Sequence, residues 1–105
     1  MRILVVDDEL TIAEIVTDML TKDGHIVEAT TNGDDAYRIY CQHLSEGRGF
    51  DYVLTGLAQP GMSGPQLVEA IARENPKQRW GFSTGYPVLQ RPFTKEQLLA
   101  FVNTH

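Results

Sequence analysis

Met1-Arg2-Ile3-Leu4-Val5-Val6-Asp7-Asp8-Glu9 opens the chain, an apolar run that ends on the acidic pair Asp7-Asp8. A strand with one wet face would alternate polar and apolar residues. Ile3 to Val6 does not alternate, so the run predicts a strand buried on both faces, as in a parallel sheet covered by helices on each side. The acidic pair then falls at that strand's carboxyl end.

Working outward, Ile12, Ile15, Val16, Met19 and Leu20 recur at helical spacing and predict an inward-facing stripe, which Asp23-Gly24 terminates. His25 to Ala29 reads as a second strand. Thr31-Asn32-Gly33 supplies cap and turn chemistry for a helix over roughly 35–46, with Ala36, Ile39, Tyr40 and Leu44 inward. Asp51 to Thr55 reads as a third strand. Ser63 suits an N-cap, Pro65 is tolerated in the first turn, and Leu67, Val68 and Ile71 supply the next apolar face. Arg79 to Ser83 reads as a fourth strand. Thr94-Lys95-Glu96-Gln97 has the form of a capping box opening a last helix with Leu98, Phe101 and Val102 inside.

This order predicts an α/β fold, a doubly wound parallel sheet with helices on both faces. Ligands of such sheets bind outside the carboxyl ends of the strands, where the strand order reverses. Asp7, Asp8, Gly56 and Ser83 all map to strand carboxyl ends and are expected to converge.

The 105 residues are expected to form one domain over 1–105. With a net charge of -5 and no basic run, the chain has nothing to neutralise a phosphate backbone, so nucleic acid is not an expected partner. The apolar start is too short for a signal peptide or a membrane span, and no membrane role is expected. Cys41 is the only cysteine, which excludes an internal disulfide and fits a reducing, cytoplasmic setting. A stand-alone domain that acts by touching something else is the expected organisation.

Several motifs occur in a specific order: Val5-Val6-Asp7-Asp8-Glu9, the turn Pro60-Gly61-Met62-Ser63-Gly64, Ser83-Thr84-Gly85-Tyr86 after a strand, and Arg91-Pro92-Phe93-Thr94 before the last helix. Together they make the chain similar, over nearly its whole length, to the response-regulator receiver domains of two-component signalling. The resemblance implies a flavodoxin-like fold. It also implies a phosphorylation pocket in which the acidic pair binds magnesium with a phosphoacceptor aspartate and a backbone carbonyl. Here the pair is Asp7 and Asp8, and the carbonyl is that of Ala58. Ser83 maps to the hydroxyl that follows the phosphate, and Arg91 to a lysine that neutralises it.

Two departures matter. The phosphoacceptor position is Gly56, which has no side chain to attack phosphorus or hold a metal. Two carboxylates make at best a weak magnesium site, and no cofactor is required. With no phosphate to hold, Arg91 is expected to pair with Asp7 or Asp8, as its planar fork suits carboxylates. Thr55 is expected to point to the opposite face from Gly56, and Ser83 has no evident base, so neither is an expected replacement acceptor. Restoring aspartate at Gly56 would be resisted if the backbone there were glycine-specific. His25 and His43 read as structural or surface residues, and Tyr37, Tyr40, Trp80 and Phe82 as core or near-core ones.

The second departure is a missing crossover, because only Thr84 to Gln90 separates Ser83 from Arg91. A parallel return needs about a dozen residues or more. Eight Cα steps span at most about 27 Å, whereas descending and re-ascending a strand takes about 17 Å each way. A parallel fifth strand and the fourth helix are therefore excluded. The linker either crosses the carboxyl end directly, leaving Arg91 near the acidic pair, or turns at Gly85 to Pro87 so that Val88 to Gln90 pairs antiparallel. Exchange of an element between two chains is a third solution. Apolar surface around Trp80 and Phe82 should then be exposed or newly covered, and Trp80, Phe82, Tyr86 and Val88 form a candidate partner surface.

The expected function is a non-enzymatic, receiver-like signalling module that binds a histidine kinase, another signalling protein or itself, independently of aspartate phosphorylation. The alternatives are a phosphoacceptor using a non-standard residue and a self-assembling, dimeric domain.

Overall fold

The computed structural model describes residues 1–83. Arg91, Tyr86, Val88, the return path after Ser83 and the last helix lie outside the described residues. The element order is β1 (Arg2–Val6), α1 (Leu10–Lys22), β2 (Ile26–Thr30), α2 (Gly33–Ser45), β3 (Tyr52–Thr55), α3 (Gly64–Glu74) and β4 (Trp80–Phe82). The four strands form one sheet in the order β2-β1-β3-β4, and each neighbouring pair runs parallel. This is the flavodoxin-like, doubly wound arrangement that the strand and helix alternation predicts. The chain moves from β1 outward to β2, then returns across β1 to β3, so the switch point lies between the carboxyl ends of β1 and β3.

Register explains why β1 reads as a continuous apolar run. Ile3 pairs with Tyr52 and Val5 with Leu54, and these four face α1, where they pack with Val16 and Leu20. The alternate residues Leu4, Val6 and Val53 face α2 and α3, against Ala36, Tyr40, Leu67 and Ile71. All of these side chains are buried, and burying each contributes roughly 1.5–3 kcal/mol for the large aliphatic and aromatic ones. The sheet is thus a central layer with an apolar core on each side.

Several boundaries differ from the sequence expectation by a residue or two. The second strand begins at Ile26, the third at Tyr52, the fourth spans Trp80–Phe82, and α2 begins at Gly33. The early start of α2 follows from its cap, because the Asn32 side chain accepts from the backbone N–H groups of Asp34 (2.8 Å) and Asp35 (3.2 Å). Ile15 is a correction to the expected inner face of α1. It is 43% exposed, whereas Ala13, Val16 and Leu20 are buried. At 3.6 residues per turn it lies about 130° round the helix from the midpoint of those three. In α2, Tyr40 is buried and donates to Gln78 Oε1 at 2.8 Å, and His43 Nδ1 lies 2.9 Å from the Ile39 carbonyl. No helix of the described residues is long and apolar enough to cross a membrane.

Tyr52 carries an unusual burden. It is fully buried in the α1-side core, and its hydroxyl has no hydrogen-bond partner among the described residues. Burial pushes the phenol up to about 12, opposed by the nearby positive charge of Arg79, whose guanidinium lies 5.4 Å from the ring centroid. The fold therefore favours the neutral phenol. That contribution is complete below the unfolded value near 10 and is lost as pH rises towards 12. Tyr52→Phe removes both the orphaned hydroxyl and this alkaline sensitivity. Urea denaturation should show the variant unchanged or stabilised by up to about 1 kcal/mol at neutral pH, with a smaller loss of stability at alkaline pH. A clear loss at neutral pH would show that the hydroxyl has a partner.

Candidate functional site

The strand ladders continue one residue past the end of each strand, and this sets the site. Asp7 N–H donates to the Thr30 carbonyl at 3.1 Å, Gly56 N–H to Val6 at 2.8 Å, and Ser83 N–H to Thr55 at 2.9 Å. Asp7, Gly56 and Ser83 therefore stand on three neighbouring strands in one row at the carboxyl edge of the sheet. All three are buried, whereas Asp8 is exposed. Asp7 Oδ1 accepts the Glu9 backbone N–H at 2.9 Å, which turns the chain from β1 into α1. Asp7, Gly56 and Ser83 thus stand along the carboxyl edge of the sheet, with Asp8 next to Asp7 in the chain; Arg91 lies outside the described residues.

The segment from Leu57 to Ser63 forms the far wall. Ser63 caps α3 in a reciprocal box: its hydroxyl accepts from Gln66 N–H, and the Gln66 side chain accepts from Ser63 N–H. Gly64 N–H donates to the Leu57 carbonyl at 2.7 Å, which brings the start of α3 directly against β3. The approach leaves no room for a side chain. A Cβ on Gly64 would overlap the Gly56 carbonyl oxygen, and the edge of the Phe82 ring would lie 3.0 Å from it. The same segment holds the start of α2. Gly33 N–H donates to the Pro60 carbonyl at 2.8 Å, Met62 N–H donates to Asp34 Oδ1 at 3.1 Å, and a Cβ on Gly33 would overlap the Met62 carbonyl.

Gly56 has an ordinary backbone conformation, since the left-handed glycines among the described residues are Gly24, Gly47 and Gly61. The anticipated backbone resistance to an aspartate there is therefore corrected. Thr55 is fully buried. Its hydroxyl donates to the Gly56 carbonyl at 2.9 Å and accepts from Gln59 Nε2 at 3.3 Å, so it is committed to internal bonds. Gln59 is the residue that sequence reasoning missed. It lies three positions beyond Gly56, and nothing in the sequence marks its side chain as folding back.

The donor set does not complete a cage for a hard cation. No cluster of three or more acidic, His or Cys side chains suited to a metal occurs among the described residues. Asp7 and Asp8 supply two carboxylates, and one Asp7 oxygen already holds the Glu9 N–H. Six oxygen ligands would require water for most positions.

On the candidate partner surface, Trp80 is half-buried and its ring lies 5.2 Å from that of Phe82. Phe82 is only 7% exposed, because it packs over the Gly64 backbone. At that exposure Phe82 offers little area to a partner, and Tyr86 and Val88 lie outside the described residues. The large exposed apolar side chains among the described residues are instead Leu10, Ile15 and Ile26, on α1 and β2.

Comparison with known proteins agrees with this geometry. A family model described as the response regulator receiver domain matches residues 3–88. A response regulator receiver domain protein from Clostridium thermocellum is 25% identical, with a TM-score of 0.83, over 97% of this chain and 90% of that one. The chemotaxis response regulator CheY4 of Vibrio cholerae is 22% identical, with a TM-score of 0.77, over 97% of this chain and 95% of that one. The non-phosphorylated HemR receiver domain from Leptospira biflexa is 22% identical, with a TM-score of 0.78, over 99% of this chain and 94% of that one.

The contact of Gly64 with Gly56 predicts that Gly64→Ala is disruptive. The obstacle is backbone rather than a flexible side chain, so the variant should lose at least about 2 kcal/mol in urea denaturation. A loss below about 0.5 kcal/mol would show that α3 can shift away from β3 freely.

Proposed function

Because this chain belongs to the response-regulator receiver domain family, we propose that it is a two-component signalling module that works through a fixed binding surface, without phosphorylation of its own pocket. The observation that carries the reading is Gly56. It occupies the end of β3 at the switch point, where a phosphoacceptor would need a side chain in line with a bound phosphoryl group. Two further observations support the reading: the Thr55 hydroxyl is engaged with the Gly56 carbonyl and Gln59, and Ser83 is buried at 3% exposure.

In this reading Asp7 and Asp8 keep the acidic end of the pocket but hold magnesium only weakly, and no metal is needed for signalling. The partner is a histidine kinase or another signalling protein, recognised through a surface that includes Trp80. A second copy of the chain is the competing partner, and concentration-dependent light scattering separates the two.

Two measurements test the reading. Incubation with a phosphorylated kinase or a small-molecule phosphoryl donor should add no phosphoryl group to the intact mass. Stoichiometric addition at any residue would overturn the proposal and establish a non-standard acceptor. Partner binding measured in magnesium and after chelation should be the same. A loss of affinity of tenfold or more on chelation, about 1.4 kcal/mol, would make the metal part of the interface.

A further inference from the structure

The space above the Gly56 Cα is closely bordered by a side chain. A Cβ built on Gly56 would lie 3.3 Å from Gln59 Oε1 and 3.8 Å from the Val6 carbonyl oxygen. The Gln59 carboxamide therefore stands in contact with the point where the first side-chain atom of an acceptor would be. Its orientation follows from its neighbours. The Met62 carbonyl can only accept, so the group 3.0 Å from it is the amide nitrogen. That nitrogen also donates to Thr55 Oγ1, whose proton goes to the Gly56 carbonyl. With both amide hydrogens directed this way, the oxygen turns towards Gly56. It is buried there and accepts no hydrogen bond among the described residues. Leaving a buried acceptor unmet is unfavourable, so the two donated bonds must outweigh it.

Those bonds tie the two ends of one segment together, since Thr55 is the last residue of β3 and Met62 is two residues before α3. Pro60 and Met62 in turn hold Gly33 and Asp34 at the start of α2. We infer that Gln59 substitutes for the side chain that Gly56 lacks: it plugs the acceptor position and clamps residues 57–62 to the end of β3. The start of α2 and the start of α3 are thereby fixed without any ligand. This clamp deepens the phosphorylation-independent reading and rests on it. It also explains how a receiver pocket can lose its acceptor without leaving a void that loosens the segment.

Amide hydrogen exchange on the full chain tests the clamp directly. Gln59→Ala should speed exchange at Gly33, Met62 and Gly64 by about tenfold or more relative to wild type, while Val5 and Leu54 in the sheet keep their protection. Exchange within about twofold of wild type at those three amides would overturn the inference. A second pair of variants does not depend on the stability of Gln59→Ala alone. Gly56→Asp and the double variant Gly56→Asp/Gln59→Ala are titrated with magnesium and beryllofluoride, a phosphoryl mimic, and followed by amide NMR. The double variant should shift at Asp7, Asp8 and Ser83, and the single variant should not, because its new carboxylate meets the Gln59 oxygen. Equal behaviour of the two, responsive or silent, would overturn the plug. Neither comparison depends on the phosphorylation state of the wild-type chain, so phosphate uptake by wild type would sink the functional reading separately.

Discussion

The Gly56 carbonyl meets the start of α3 with no space for a side chain between them. This backbone contact is the constraint on which the rest of the site depends. It lets the Leu57 carbonyl bind Gly64 N–H and lets Phe82 close over the junction. It also forces the segment between them to arch towards α2, where Pro60 and Met62 are held by Gly33 and Asp34. The carboxyl edge of the sheet and the amino ends of two helices consequently meet in one hydrogen-bonded corner. The parallel ladder supplies the other half, placing Asp7, Gly56 and Ser83 in one row. The strand-end row of the receiver fold is thus kept, with a glycine at the end of β3.

Much of this was legible in the residues. A short apolar run without alternation fits a strand covered on both faces, and β1 is buried that way. Ser63, Pro65 and the stripe Leu67, Val68 and Ile71 placed α3 correctly, because caps and helical periodicity are local properties. Convergence of Asp7, Gly56 and Ser83 followed from topology alone. Ile15 was misjudged because an apolar residue within two positions of a buried stripe satisfies a spacing pattern without lying on the helix's inner face. β2 shows the same limit, with Ile26 60% exposed on the outermost strand of the sheet among the described residues.

Gln59 was not legible, and the reason is physical. A side chain that folds back to bond Thr55 Oγ1 and the Met62 carbonyl leaves no periodicity, and glutamine in a loop is ordinarily read as a solvated residue. Only the three-dimensional proximity of its amide to where a Cβ on Gly56 would lie points to the proposed role. The vacancy at Gly56 was visible in the sequence, but what fills it was not. This changes what the substitution means. Loss of an acceptor carboxylate on its own would leave two acidic residues facing a hole. In the proposed clamp, the Gln59 amide adds two hydrogen bonds, to Thr55 Oγ1 and the Met62 carbonyl, that would hold the corner in shape with no phosphate to organise it.

The most direct test of the central claim is an amide NMR titration of the wild-type chain with magnesium and beryllofluoride. A fixed, phosphorylation-independent pocket predicts that beryllofluoride adds no localised shifts at Asp7, Asp8, Gly56 or Ser83 beyond those of magnesium alone. Saturable, beryllofluoride-dependent shifts confined to those residues would show that a phosphoryl-binding pocket survives, and would contradict the account.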